Sequence, residues 1–273
     1  MKGYAGKLLR VNLSNGKVSK EEISEEMKRD FLGGRGFAVK LLWDEVKRVD
    51  PLSEKNKIIF STGPLSGQLL PSSGKMVIAS KSPLTGGYGD GNIGTMAAVY
   101  LRKAGYDVVV VEGKSAKPCY LSIEDENVKI VEASDLWGKN TFEAQDILEK
   151  KHGRNSGILL IGPAGENLIR ISTVMSQRGR AGGRPGMGAA MGSKNLKAVV
   201  VKGTGNVSNF DDNRLRELGK KGYEEIKAKE SYEFWMRQGT MQVFEWCNEN
   251  ACLPTYNFKE GVFEFSKEMD GYA

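Results

Sequence analysis

Apolar positions in this chain fall mostly in short unbroken runs bounded by glycine or proline, and longer stretches at helical spacing lie between them. Residues 8–13 followed by Gly16-Lys17-Val18 read as strand, turn and strand, with a helix expected over 35–47. The run Ile58-Ile59-Phe60 ahead of Gly63-Pro64 predicts another strand, as do residues 76–80. Gly94 then opens a small-residue helix through Met96, Ala97 and Ala98 that stops at Gly105, before the strand Val108-Val109-Val110-Val111.

The same order returns. Residues 120–123 and 127–130 predict a second strand pair, and 141–152 a helix. Ile158-Leu159-Leu160-Ile161-Gly162-Pro163 answers the earlier run and its Gly-Pro break. Gly188 with Ala189, Ala190 and Met191 matches the helix after Gly94, and Ala198-Val199-Val200-Val201 matches 108–111. Two copies of one α+β unit, about residues 2–113 and 118–203, make up most of the chain. The reading divides it into a first domain over 1–208 and a remainder over 209–273, with helices at 211–230 and 240–250.

With 273 residues, 40% of them apolar, the chain is long enough for a sizeable core. Its formal charge of +6 invites a nucleic-acid partner, yet no run of Lys or Arg exceeds two residues and aromatics do not interleave with the cations. The N-terminus lacks the apolar region of a signal peptide, and no segment has the apolar length to span a bilayer. Three irregularly spaced cysteines, Cys119, Cys247 and Cys252, give no disulfide framework. A cytoplasmic protein with neither nucleic-acid nor membrane partners is expected, and the oligomeric state, including a homo-oligomer, stays open.

The positive charge is concentrated where the glycines are. Residues 180–198 hold five glycines and four cations in nineteen positions with no carboxylate, the composition of an anion cradle. A related glycine-rich loop occupies 82–94 of the first copy, so two loops are expected to face each other across a pseudo-two-fold axis. They would suit a two-ended or paired phosphate ligand. Gly89-Asp90-Gly91-Asn92-Ile93-Gly94 fits G-x-G-x-x-G, with Glu112 ending the next strand, which makes a nucleotide-dependent oxidoreductase the rival reading. Against it, eight residues separate strand 76–80 from those glycines, and Glu112 corresponds to Lys202 in the second copy. No P-loop pattern occurs.

Several ordered motifs carry a more specific likeness: Phe31-Leu32-Gly33-Gly34-Arg35-Gly36, Thr62-Gly63-Pro64-Leu65-Ser66-Gly67, Lys81-Ser82-Pro83-Leu84-Thr85-Gly86, Ala104-Gly105-Tyr106-Asp107, Ile161-Gly162-Pro163-Ala164-Gly165-Glu166-Asn167 and Met191-Gly192-Ser193-Lys194-Asn195-Leu196-Lys197-Ala198. Over about residues 3–205 the chain resembles the N-terminal domain of the aldehyde ferredoxin oxidoreductases, tungsten enzymes with some molybdenum-using relatives. The resemblance implies an α+β fold of duplicated β-α-β repeats forming two mixed sheets under a bis-pterin cofactor. It further implies that Asn92 and the backbone of Ala181 help hold a magnesium ion bridging two pterin phosphates. Gly94, Arg180, Gly183 and Arg184 match pterin-contacting positions, and Lys75 stands where an arginine is common, keeping the charge without the bidentate fork. Pro185 replaces a usual glycine and removes one N–H.

Plainer roles stand beside these. Asn92 could cap the helix near Gly94, Arg180 and Arg184 could be solvated loop cations, and Arg35 reads as structural. Met187 and Met191 read as core, Cys119 as a core thiol, and His152 as a solvated helix-end residue.

The family passes electrons to ferredoxin through a four-iron cluster held by C-x-x-C-x-x-x-C and a distant cysteine, which this sequence lacks. The aldehyde pocket belongs to later domains of the family. The implied function is therefore the cofactor-binding part of an enzyme oxidising aldehydes to carboxylic acids, inactive alone, with ferredoxin, aldehyde and its own C-terminal domains as partners. A non-catalytic pterin-binding module is the alternative. Truncation is the expected reason for the missing cysteines, and Phe234, Trp235, Phe244, Trp246, Phe263 and Phe265 read as apolar surface for an absent domain.

Overall fold

In the computed structural model, which describes residues 1–269 and 271, the chain divides into two compact units, Met1–Arg216 and Glu217–Ala273. The first copy in the first unit runs β1 (Lys7–Asn12), β2 (Val18–Glu22), α1 (Glu25–Phe31), α2 (Arg35–Glu45), β3 (Ile58–Ser61), β4 (Lys75–Lys81), β5 (Tyr88–Gly94), α3 (Met96–Lys103) and β6 (Val108–Glu112). The second runs β7 (Cys119–Glu124), β8 (Asn127–Glu132), α4 (Thr141–His152), β9 (Gly157–Leu160), α5 (Pro163–Glu166), β10 (Val174–Ser176), β11 (Arg180–Gly182), α6 (Met187–Gly192) and β12 (Leu196–Lys202).

Two six-stranded sheets result, ordered β2-β1-β6-β3-β4-β5 and, from the opposite edge, β8-β7-β12-β9-β10-β11. The orders coincide strand for strand. Each sheet is antiparallel apart from one parallel pair, β1 with β6 and β7 with β12. The architecture is α+β with two mixed sheets, and the internal repeat of the sequence is a repeat of the fold.

The strand cores Val108-Val109-Val110-Val111 and Ala198-Val199-Val200-Val201 are buried on both faces, which is why they read as continuous apolar runs and not as alternation. One face of each sheet belongs to a core shared by both copies, with Phe60, Ile78 and Val109 from one side and Leu121, Leu159 and Val199 from the other. The opposite faces are covered separately, Phe37 and Leu42 of α2 on the first sheet and Ala144 and Leu148 of α4 on the second. Packing at the centre is reciprocal: α3 lies against β9 and β12, and α6 against β3 and β4. A Cβ on Gly157 would stand 2.3 Å from the Ala97 Cα, so helix backbone rests on strand backbone.

Helix starts follow their capping chemistry. Asn140 and Glu143 form a capping box on α4. Thr95, not Gly94, caps α3, because its hydroxyl accepts from Ala97 N at 3.0 Å.

In the second unit, α8 (Tyr232–Gln238) and α9 (Phe244–Glu249) follow α7 (Asp212–Lys227), which runs through the division between the units. Trp235, Trp246 and Phe265 are exposed, as expected, whereas Phe234, Phe244 and Phe263 are half-buried, the last with the rings of Tyr256 and Phe265 at 5.9 and 5.7 Å. No helix among the described residues is long and apolar enough to cross a membrane.

Candidate functional site

The glycine-rich segments are half strand. Gly89, Gly91 and Gly94 lie on β5, an extended edge strand, so the G-x-G-x-x-G spacing does not form the strand-to-helix turn of a dinucleotide site. Glu112 is likewise engaged, with Lys57 at 3.0 Å and Arg10 at 3.7 Å, and Lys57 and Arg10 hold its carboxyl below the usual range against the opposing effect of burial. Both features of the rival reading are structural.

β5 and β11 form corresponding edges of their sheets and touch one another. A Cβ on Gly91 would stand 2.0 Å from the Gly183 nitrogen, and one on Gly182 would stand 2.9 Å from Ile93 Cβ and 3.4 Å from the Asn92 carbonyl oxygen. Only glycine permits that approach, and Gly183 also holds φ +79°. Asn92 of one copy and Gly182, the neighbour of Ala181, of the other thus meet. Two of the expected positions converge from opposite copies.

The remaining positions cluster around this contact through strand register. Lys75 pairs with Gly94 and Val77 with Asn92 across β4 and β5, while Ser176 pairs with Arg180 and Met175 with Ala181 across β10 and β11. Lys75, Asn92, Arg180, Ala181 and Arg184 are exposed, Gly94 is half-buried and Gly183 is buried. Asn92 precedes the α3 cap by three residues, so it does not cap that helix. Among the described residues, Lys75, Arg180 and Arg184 form no ion pair, and the N–H groups of Gly183 and Arg184 donate to no group of the chain. Unpaired cations and free backbone donors at a glycine junction are what an anion requires.

Two other cations of the 180–198 stretch do not join them. Lys194 and Lys197 are fully buried, contrary to the anion cradle expected from composition. The Lys194 ammonium donates to the carbonyls of Glu54, Asn56 and Gly113 at 3.2, 2.5 and 3.1 Å, stapling the second copy to the first. Burial pushes its pKa down to about 8. Lys197 pairs with Glu166 and donates to the Lys139 carbonyl at 2.9 Å. Burial lowers its pKa, and Glu166 works against that shift. Sequence placed these lysines in the cradle because composition carries no direction.

The hairpin carrying Arg180 is held by residues that the sequence reading missed. Gln177 and Arg178 sit at φ +48° and +63°, a left-handed backbone that costs a non-glycine residue about 1 kcal/mol. Gln177 Oε1 accepts from Met96 N at 2.9 Å, Arg178 N donates to Gln145 Oε1 at 3.1 Å, and the Arg178 guanidinium pairs with Asp146. Beneath them Thr95 and Ser176 hydroxyls lie 2.8 Å apart. The available signal was Gln177-Arg178 standing where the first copy turns through Gly86-Gly87. Pro185, noted only for its missing N–H, uses its carbonyl: Ser82 Oγ donates to it at 2.7 Å. His152 is not solvated, since its side chain is largely buried with Tyr120 Oη 3.0 Å from Nε2.

The junction offers cations and backbone donors, and the acid nearest Asn92 in sequence is already engaged. Asp90, two residues before Asn92, is taken by Arg35, whose Nε lies 2.5 Å away, in line with the structural role expected for that arginine. Among the described residues no group of three or more His, Cys, Asp or Glu could hold a metal. A hard cation at Asn92 and Ala181 would have neutral oxygens only and would need the anionic oxygens of a ligand to complete its shell. A concavity of about 510 Å³ lined by Val39, Trp43, Lys81 and Tyr88 includes none of Lys75, Asn92, Arg180 or Arg184.

Comparison with known proteins identifies the family of the chain. Residues 8–203 match the family description "Aldehyde ferredoxin oxidoreductase, N-terminal domain", and residues 217–273 match "Aldehyde ferredoxin oxidoreductase, domains 2 & 3". The tungsten-containing aldehyde ferredoxin oxidoreductase of Pyrococcus abyssi is 42% identical over 276 residues, covering 100% of this chain and 46% of that protein. An aliphatic sulfonate oxidoreductase, WOR-like subunit, of Pyrococcus furiosus is 35% identical over 253 residues, 86% of this chain and 40% of its own length. Among solved structures, the active site complex BamBC of benzoyl coenzyme A reductase with 1,5-dienoyl-CoA matches at TM-score 0.81 and 32% identity, covering 84% of this chain and 35% of that one. The chain belongs to the aldehyde ferredoxin oxidoreductase family and corresponds to its N-terminal part. It spans about half the length of the curated relatives it matches.

Proposed function

We propose that residues 1–208 bind a bis-pterin cofactor carrying tungsten, or molybdenum, for an oxidoreductase that converts aldehydes to carboxylic acids with ferredoxin as electron acceptor. The observation that carries this reading is the junction of β5 and β11, where Lys75, Arg180 and Arg184 stand exposed without acidic partners beside a backbone contact that only glycine allows. One pterin phosphate would be held by Arg180, Arg184 and the Gly183 backbone, the other by Lys75 and Gly94. Asn92 and the Ala181 carbonyl would share a magnesium ion with both phosphates. When bound, the metal–dithiolene group supplies the two-electron chemistry, while this chain supplies binding, charge and orientation.

Residues 209–273 would begin the helical part that follows the cofactor domain. The four thiolates of a 4Fe–4S cluster belong, on this reading, to later parts of such an enzyme, and this chain alone would not turn over aldehyde. Unbridged thiols at Cys119, Cys247 and Cys252 suit a reducing cytoplasm.

The test is elemental analysis of the chain purified from a tungstate-supplied host that makes the pterin. Tungsten or molybdenum with co-purifying phosphorus and pterin fluorescence is expected, and the double variant Arg180→Ala/Arg184→Ala should retain at least about tenfold less phosphorus while melting as the parent does. Bound nucleotide in place of pterin, or equal phosphorus in the variant, would refute the assignment.

A further inference from the structure

Helix α9 ends in a motif whose side-chain contact is unusual. Cys252 N donates to the Cys247 carbonyl at 2.9 Å and Ala251 N to the Asn248 carbonyl at 3.2 Å, the two hydrogen bonds of a Schellman cap. Ala251 holds the left-handed position at φ +52°, where glycine is usual. It is clamped there, since a Cβ on Gly261 would stand 2.1 Å from the Ala251 carbonyl oxygen, and Leu253 N donates to the Gly261 carbonyl at 2.9 Å. Such a cap brings together the side chains three residues before the helix end and two beyond it, ordinarily an apolar pair. Here both are cysteines. Cys252 is exposed and Cys247 half-buried, and the neighbouring Cys252 raises the pKa of the Cys247 thiol.

We infer that Cys247 and Cys252 form a redox-responsive thiol pair that closes to an intramolecular disulfide when it meets a low-molecular-weight disulfide such as oxidised glutathione. The exposed Cys252 thiolate attacks one sulfur of the oxidant, releasing one glutathione thiol and leaving a mixed disulfide on Cys252. Cys247 loses its proton and attacks that bond, releasing the second glutathione thiol. The protein gives up two protons and two electrons, and the oxidant becomes two thiols. Cys247 acts second because burial and the neighbouring Cys252 both raise its pKa. The backbone hydrogen bonds of the cap hold the two residues beside each other at the end of α9. Cys119, buried on β7, takes no part.

The experiment titrates the reduced full chain with oxidised glutathione and follows it by thiol counting, intact mass and peptide mapping. Three thiols should fall to one, with the loss of two hydrogens and a crosslinked 247–252 peptide. In Cys247→Ser the glutathione adduct on Cys252 should persist at least about tenfold longer than in the parent, because its resolving thiol is gone. A stable glutathione adduct in the parent itself, crosslinks between chains only, or no loss of thiols would overturn the inference. The parent measurement stands even if the variant does not fold, and none of these outcomes bears on pterin binding.

Discussion

Replacing Lys194 by methionine tests the staple between the copies. The side chain is fully buried, and its ammonium meets three backbone carbonyls of the first copy at 3.2, 2.5 and 3.1 Å. Hydrogen bonds to a charged donor contribute about 1.5–3 kcal/mol each. Against that stands the penalty for burying the charge. A pKa displaced from 10.5 to about 8, at roughly 1.4 kcal/mol for each tenfold change, places it near 3 kcal/mol. Methionine fills similar volume and removes the penalty, but leaves three carbonyls without their donor. The net loss is expected to be about 3 kcal/mol, or a fall in Tm of roughly 6–12 °C for a unit of this size. Calorimetric melts of parent and variant at pH 7 measure it.

The pH dependence follows from the direction of the shift. Between pH 8 and 10.5 the unfolded chain keeps the proton that native Lys194 releases, so its contribution to stability rises with pH through that window and is lost as pH falls through 8. That rise should be missing from the variant. A Tm within about 2 °C of the parent at pH 7 would refute the staple.

Other outcomes follow from the same contacts. Gly91→Ala should destabilise the first unit by more than about 3 kcal/mol in a chemical melt, since the new Cβ meets the Gly183 nitrogen at 2.0 Å; a loss under about 1 kcal/mol would show that the two edges separate freely. Glu166→Gln should cost about 3–5 kcal/mol at neutral pH by leaving the buried Lys197 ammonium unpaired. That defect should shrink towards pH 10, because Lys197 has a lowered pKa and sheds its proton in the folded state first; a pH-independent loss would contradict the pairing. Tyr120→Phe should cost about 1 kcal/mol by removing the partner of His152 Nε2 at 3.0 Å, read as a change in unfolding midpoint.

The duplication was legible because both copies spend the same residue types on the same tasks: valine runs where a strand is buried on both faces, and Gly-Pro where it ends. The expected helix after Gly94 exists, although Thr95 sets its start, since a hydroxyl at the cap outweighs the preceding glycine. Glycine has little strand propensity, so β5 through Gly89, Gly91 and Gly94 was hidden, and its extended form comes from pairing with β4 along its whole length. For the candidate site, the sequence named Asn92, Ala181, Gly183 and Arg184 as candidates, which the fold gathers at the contact of β5 and β11, but what holds them there was not legible. Gln177 and Ser82 act through contacts between copies 81 and 103 residues apart in sequence, as Thr95 does with Ser176, while Asp146 reaches Arg178 from α4 of the same copy, 32 residues away. Lys194 and Lys197 show the converse: a lysine beside glycines reads as solvent-facing until the three carbonyls or the carboxylate that receive it are placed.

The reciprocal seating of α3 on β9 and β12 and of α6 on β3 and β4 has a consequence for biosynthesis. When β6 has left the ribosome at Glu112, the inner face of the first sheet still lacks α6, which ends at Gly192. At roughly 5–20 residues per second, the intervening stretch takes on the order of 4–16 s to appear. For that interval Phe60, Ile78 and Val109 face solvent on a nascent chain, a natural substrate for an apolar-binding chaperone.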